Sequence, residues 1–437
     1  MKGKSEREHQ GIRYEKTITG YPGLENPVEI IERKGSFPDE KDQLVKVGQV
    51  HYILREIVGE GGMAVVWKAD RVFTGKEETN ADDIPGIVAV KRAFCLDDAL
   101  EEAIVKEAKI NLGIFHQQVL TPLYFGHHNG GYTLVMPFVS SDLEKIMEAH
   151  RISQTNETPP EFWDENKYLL HYSEPHISSK ECIKAIPDKF VAYFIYMVAR
   201  TLAHLHRKAG IVHRDISANN ILVEPSTGAV YLADFGVALE KGEKNIMVAG
   251  KLQYISPEGL KRPHESDQRS DLYSLGVVAY KMLTGLGPND IFTEPEKVTS
   301  HQQRMWNNIN GLMKLYERPV VPPHLVVEGI DKKLSRMVLK LLATDPDERY
   351  RSAAEFVRDI KDNYLHRGPG PTPEGLSAYL HIFANDVERM RDEDILDALD
   401  ELKFLPRRKG VPVIFQRLVL SKDARLKLAE KKNPARA

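Results

Sequence analysis

Three oxygen-bearing side chains, Asp215, Asn220 and Asp234, stand at or just outside the ends of two short apolar runs in IVHRDISANNILVEPSTGAVYLADFG (Ile211–Gly236). The runs, Asn220–Val223 and Val230–Ala233, have β-strand character. They flank Pro225-Ser226-Thr227-Gly228, a turn by composition. A hairpin there would bring the three polar groups to one spot. Carboxylate and amide oxygens so gathered suit Mg²⁺, a hard cation that commonly shares its shell with phosphate. Lys91, at the end of the β-type run VAVK, is a second candidate. An isolated lysine at a strand end is usually a solvated surface group, so its meaning depends on what surrounds it.

The elements that must position these groups can be read outward from them. His51–Asp70, HYILREIVGEGGMAVVWKAD, is two β-type runs around a glycine-rich turn. A dinucleotide-binding turn is the obvious rival reading, but it requires a helix directly after the glycines. Val65-Val66-Trp67 follow instead, which is a strand. Asp97–Phe115 has helical character and carries Glu107, with Glu101 and Glu102 nearby. Leu123–Gly126 and Tyr132–Met136 read as a hairpin. Its adjacent His127 and His128 are polar loop residues far more often than metal ligands. Phe190–Lys208 is an amphipathic helix ended by Gly210. On that reading His204 and His206 are ordinary helix residues.

In this order and spacing, H-R-D-x-x-x-x-N, D-F-G, the glycine turn between strands, VAVK and the closing Ser256-Pro257-Glu258 resemble eukaryotic-like (Hanks-type) serine/threonine protein kinases, in a bacterial-looking form. The resemblance covers Val45 to Tyr364. It implies an α+β, bilobal protein kinase fold, with an antiparallel N-lobe sheet carrying one helix over a mostly helical C-lobe, and ATP in the cleft. It also implies site residues. Gly59, Gly61 and Gly62 would cover the ATP phosphates, with Ala64 at the third glycine position. Val66, Ala89 and Leu222 would enclose adenine, Met136 would be the gatekeeper and Val139 the main hinge donor. Asp142 would accept from the ribose hydroxyls, and it is also placed as a helix N-cap. Lys91 would hold phosphates, braced by Glu107. Asn220 and Asp234 would hold Mg²⁺, and Asp215 would take the proton of the substrate hydroxyl. Asp271 would hold the catalytic-loop backbone, and Arg349 would bond Glu258.

The implied activity is transfer of the γ-phosphate of ATP to Ser/Thr hydroxyls of protein substrates. A catalytically weak ATP-binding scaffold is the alternative, because Ser217 stands where such kinases usually have lysine. A kinase for tyrosine or a small molecule is a further one. From Gly236 to Gln253 the activation segment contains no Ser, Thr or Tyr. Arg214, the arginine of HRD, is therefore expected to meet Glu240, Glu243 or solvent rather than a phosphate. Seven residues before Glu258 stands Lys251, where the resemblance places threonine. Lysine and hydroxyl are thus exchanged between Ser217 and Lys251, and Lys251 is expected to return to the site the cation that the catalytic loop lacks.

Composition sets outer bounds. The 437 residues are 42% hydrophobic, enough for a sizeable core. A net charge of -3 argues against whole-surface attraction to nucleic acid. Cys95 and Cys182 imply no disulfide framework. No run of about 18 apolar residues occurs, and the expectation is a cytoplasmic protein without membrane partners. Residues 1–44 read as a mobile extension with a short helix near Asn26–Arg33, 45–137 as N-lobe and 138–365 as C-lobe. An insertion covers about 150–187. Beyond Gly368–Pro373, the stretch 366–437 reads as a helical then basic extension. Its helices would dock on the large lobe or on a partner. From Lys403 it holds eleven Lys and Arg against Asp423 and Glu430, a solvated tail or an arm for an acidic partner.

Overall fold

The computed structural model describes residues 8–9, 12–19, 28–34, 40–47, 50–60, 64–72, 86–93, 98–128, 131–148, 186–240, 243, 250–288, 309, 311–366 and 372–383. Gly61, Gly62, most of the insertion and the basic tail lie outside them.

The small lobe is a six-stranded antiparallel sheet in the order β4-β5-β6-β7-β9-β8. Its strands are β4 Leu44–Val47, β5 Val50–Glu60, β6 Ala64–Val72, β7 Ile87–Ala93, β8 Tyr124–His128 and β9 Gly131–Pro137. β-Branched and aromatic residues fill alternate positions, so one face can be apolar throughout. Val65, Trp67, Val88, Val90 and Val135 form that buried face. The register pairs Val66 with Lys91 and Ala89 with Met136. Directly opposed residues share a face, as do residues two apart. Val66, Ala89, Lys91 and Met136 therefore lie together on the other face. Helix Asp98–Gly113 is the helix expected of this lobe.

Two features at the start of the chain depart from expectation. Instead of a mobile extension with a short helix, β1 Glu8–His9, β2 Ile12–Thr19 and β3 Val28–Lys34 form a three-stranded antiparallel sheet. Both longer strands are rich in Ile, Thr and Val, whose branched Cβ favours a pleated backbone over a helix. The lobe also begins before Val45. Glu40, 5% exposed, makes a bidentate pair with the fully buried Arg92, at 2.8 and 3.0 Å.

The large lobe is built on helices Asp188–His204, Gln268–Thr284, Lys332–Leu341 and Ala353–Ile360. Helix 268–284 is buried on nearly every side, and its sequence is apolar on nearly every side to match. At Gly276 it approaches helix 332–341 so closely that a Cβ would come within 2.8 Å of Leu341. The helix expected to dock from the C-terminal extension, Pro373–Phe383, belongs to this core, with Leu376, Tyr379 and Leu380 buried in it. Against this lobe, β10 Ser141–Asp142, β12 Ile221–Glu224 and β13 Ala229–Leu232 make a small sheet in the order β10-β12-β13. No helix among the described residues is long and apolar enough to cross a membrane.

Candidate active site

The hairpin β12–β13 turns through Pro225–Gly228, one residue out of phase with the strand ends expected from sequence. Ala233 N–H donates to Asn220 O at 2.9 Å, which extends the pairing past Ile221–Leu232 and sets Asn220 beside the chain entering Asp234. Upstream, β11 Ile211–Val212 pairs with β14 Leu239–Glu240. Between these pairs the backbone takes two left-handed conformations at non-glycine residues, Arg214 (φ 68) and Asp234 (φ 65). Such conformations persist only where the surroundings over-determine them. Here they turn Asp215 and Asp234 out of the strand direction.

Asp271, fully buried, is one source of that constraint. Its carboxylate accepts from His213 N–H at 2.9 Å and Arg214 N–H at 2.8 Å, and lies 2.8 Å from His206 Nε2. Burial pushes the carboxyl up, but His206, His213 and these donors outweigh it, and its pKa is held below the usual range. His206 is therefore no ordinary helix residue. It sits in the π-turn Leu205–Ala209 and completes the support under the loop. Phase along an amphipathic helix does not show that, because the partner lies 65 residues away.

Asp215 is held on both oxygens. Asn220 Nδ2 donates to Oδ2 at 2.8 Å, and Lys251 N–H donates to Oδ1 at 3.1 Å. The same Asn220 amide donates to Asp215 O at 2.8 Å. Its Nδ2 is thereby committed, and its Oδ1 is left for a cation. The Lys251 ammonium lies 3.0 Å from Ser217 Oγ and 3.3 Å from Asn219 Oδ1. Asn219 was not singled out by sequence reasoning, since an amide in a loop carries no signal of its own.

Across the cleft, Lys91 Nζ lies 2.6 Å from Glu107 Oε1 and 3.3 Å from Asp234 Oδ1. Burial alone would lower the lysine pKa; Asp234 and Glu107 outweigh it, so the ammonium is held protonated. Asp234 is held ionised, chiefly by the Lys91 charge. Glu107 is pushed up by burial, and the neighbouring Asp234 adds to this against the pull of Lys91. One cation thus serves two carboxylates, and a second cation would be welcome at Asp234. Hydrogen bonds from Lys91 and Gly236 both fall on Asp234 Oδ1. Among the described residues no three His, Cys, Asp or Glu side chains form a metal cage. Asp234 and Asn220 are oxygen donors of the kind a hard cation takes, and such a cation would draw its other ligands from phosphate and water.

Val66, Ala89 and Met136 share the sheet face with Lys91, and Gly59 pairs with Val66. Asp142, opposite Leu222 in the β10–β12 pair, accepts from Lys145 N–H at 2.9 Å. The structure thus shows the capping role weighed for it. Val139 follows β9 in the link between lobes. Glu258 and Arg349 form a bidentate pair with both contacts at 2.7 Å, and Ser270 Oγ adds a third bond to Glu258.

A family model for the protein kinase domain matches residues 52–360. A probable serine/threonine-protein kinase of Clostridium perfringens is 28% identical over 334 residues, 75% of this chain and 40% of its own length. Serine/threonine-protein kinase PknB of Mycobacterium tuberculosis is 34% identical over 209 residues, 46% of this chain and 29% of its own. Serine/threonine-protein kinase pkn3 of Myxococcus xanthus is 24% identical over 338 residues, 74% of this chain and 52% of its own. The chain spans 29–52% of the length of these relatives.

Proposed function

That this chain belongs to the protein kinase family is the premise from which we propose an active serine/threonine protein kinase, one that transfers the γ-phosphate of ATP to hydroxyls of protein substrates. The observation that carries the proposal is the meeting of Lys91, Glu107 and Asp234 within 3.3 Å, from a strand, a helix and a loop far apart in sequence. A charged lysine buried against two carboxylates has little structural value compared with an apolar triad. It has much value where an anionic phosphate chain must be received.

On this reading Lys91 holds the α- and β-phosphates, and Glu107 fixes its position. Gly59, Gly61 and Gly62 cover the phosphates, while Val66, Ala89, Leu222 and Met136 enclose the adenine. Val139 reads the adenine edge and Asp142 the ribose. Asn220 and Asp234 would hold Mg²⁺, which when bound would supply neutralisation of the phosphate oxygens. Asp215 receives the substrate hydroxyl's proton, oriented by the two donors on its carboxylate. Positioning and fixed charge carry most of the rate in such chemistry.

A second reading, an ATP-binding scaffold with little activity, is favoured by the neutral Ser217 in the catalytic loop. Incubating the purified 437-residue chain with labelled ATP, Mg²⁺ and a generic protein substrate separates the two. Label on Ser or Thr of the substrate is expected. Nucleotide binding without transfer would establish the scaffold.

A further inference from the structure

Lys251 is an exposed loop residue by accessibility, yet its ammonium is anchored at a chemically odd place. Among the described residues two neutral oxygens, Ser217 Oγ at 3.0 Å and Asn219 Oδ1 at 3.3 Å, and no carboxylate, are the partners of its ammonium. An exposed lysine seeking only solvation has no need to order four methylenes against a catalytic loop, which costs rotamer entropy. Ser217, in turn, is fully buried. A buried hydroxyl needs a partner, and this one receives the Lys251 ammonium. The backbone of the same lysine also donates to Asp215 Oδ1 at 3.1 Å. One residue of the activation segment therefore touches the loop at three points and rests its ammonium on two neutral oxygens of the loop that carries Asp215.

We infer that Lys251 is a catalytic residue, whose ammonium binds the transferring phosphoryl group, and that Ser217 and Asn219 are positioning residues that aim it. This rests on the kinase reading above and adds to it the source of the cation. In the step, the substrate hydroxyl oxygen bonds to the γ-phosphorus and the bond from that phosphorus to the β,γ-bridging oxygen breaks. The hydroxyl proton passes to Asp215, and ADP leaves with the bonding pair. Charge on the equatorial oxygens is then met by Lys251, a cation already aimed where that charge develops. Because the lysine comes from the activation segment, the charge is present only when that segment is docked on the catalytic loop. Docking of residues 250–253 and completion of the site become one event.

The test compares wild type, Lys251→Met, Lys251→Thr, and Lys251→Thr combined with Ser217→Lys, all as the full chain. Binding of ADP·Mg²⁺ is measured with and without aluminium fluoride, the planar mimic of the phosphoryl group, alongside kcat and KM. Lys251→Met is expected to leave ADP affinity within about twofold. It should remove most of the fluoride-dependent gain in affinity and lower kcat by roughly 10²–10³-fold, the usual effect of one lost stabilising donor, with KM for ATP little changed. Lys251→Thr should fall with it, and adding Ser217→Lys should restore both readouts. An unchanged fluoride-dependent gain in Lys251→Met overturns the inference while leaving the kinase reading in place. A wild type that binds no nucleotide overturns both. A wild type that binds without transferring, but loses the fluoride gain on Lys251→Met, keeps the phosphoryl contact and overturns the active-enzyme reading alone.

Discussion

Asp215 uses its two oxygens for different donors, Asn220 on Oδ2 and the Lys251 N–H on Oδ1. Exchange for asparagine keeps the volume and one acceptor oxygen, so one of the two donors loses its partner and the base is lost, while Asn220 also stays bonded to the backbone carbonyl of residue 215. Asp215→Asn is expected to lower turnover by roughly 10²–10⁴-fold with ATP binding nearly intact. Asp234→Asn should behave differently. It removes a carboxylate from Lys91 and from the expected cation, so the Mg²⁺-dependent part of nucleotide affinity should disappear. Titrating nucleotide with and without Mg²⁺ distinguishes the two variants; wild-type turnover by Asp215→Asn would refute the assigned role. Most of these side chains were legible because their spacing is dictated by backbone geometry: HRD and Asn220 span one loop, and DFG follows one hairpin. Glu107 was less so, since Glu101 and Glu102 lie on the same helix. The resemblance, not the helix itself, singled it out, and in the structure its Oε1 lies 2.6 Å from Lys91 Nζ. Asn219 and His206 were illegible for a similar reason. Their partners, Lys251 and Asp271, are 32 and 65 residues distant.

The activation segment and helix Asp98–Gly113 meet through an ion pair between Glu243 and Lys106, the residue before Glu107. Glu243 also accepts from Glu240 N–H at 3.0 Å, and its carboxyl is held low chiefly by Lys106. Burial lowers the Arg214 guanidinium to about 10, opposed by the charges of Asp271 and Glu243. Glu243 thus adds a negative charge to the surroundings of the half-buried Arg214, whose guanidinium donates to Val237 O at 3.4 Å. Residues 236–253 contain no Ser, Thr or Tyr, so a phosphate has no hydroxyl there to which it can attach. Phosphatase treatment is expected to leave activity unchanged, whereas Glu243→Ala should lower it several-fold by freeing the helix that carries Glu107. Loss of activity on dephosphorylation, with the phosphate mapped to Tyr254 or Ser256, would contradict this. The Glu258–Arg349 pair and Asp271 act on another element, the frame of helix 268–284. Burial raises the Glu258 carboxyl, but Arg349 and Ser270 outweigh it, so it titrates below its usual range, as Asp271 does. The unfolded chain then takes up protons first as pH falls. The stability these groups contribute is complete above about pH 4–5 and is lost progressively below it. Thermal unfolding of wild type should fall steeply in that acid range. Glu258→Gln should begin less stable at pH 7 and lose less on acidification; parallel acid curves would remove the pair from the account.

At the scale of the whole chain, the two-lobed order was readable because each motif belongs to one element and the elements come in sequence. The ends were not. Residues 12–34 looked irregular because a strand pair with polar residues on both faces has no helical period and only a weak alternation. The run Gly368–Pro373 looked like the end of the domain, since glycine and proline interrupt any periodic pattern. The helix that follows nevertheless sets three side chains into the core. Leu376, Tyr379 and Leu380 are 0%, 2% and 3% exposed, and the Tyr379 ring stacks on Phe190 with centroids 4.2 Å apart. Its first residue presses on the catalytic hairpin: at Gly228 (φ 67) a Cβ would collide with the Pro373 carbonyl. The helix therefore supports both the base of helix 188–204 and the turn that joins β12 to β13, the strands leading from Asn220 and into Asp234. Ending the chain after His366 should uncover Phe190 and release that turn together. Removing one fully buried aromatic, Tyr379→Ala, is expected to cost about 3–5 kcal/mol, and truncation at least as much. Denaturant unfolding gives the stability, and nucleotide titration gives the second consequence. The truncated chain should bind ADP·Mg²⁺ more weakly in proportion to the Mg²⁺-dependent part, because Asn220 and Asp234 lose their support while Lys91 and the small lobe keep theirs. A truncated chain with an unchanged unfolding midpoint would show that the helix only covers the lobe. A lowered midpoint with intact Mg²⁺ dependence would confine its role to stability.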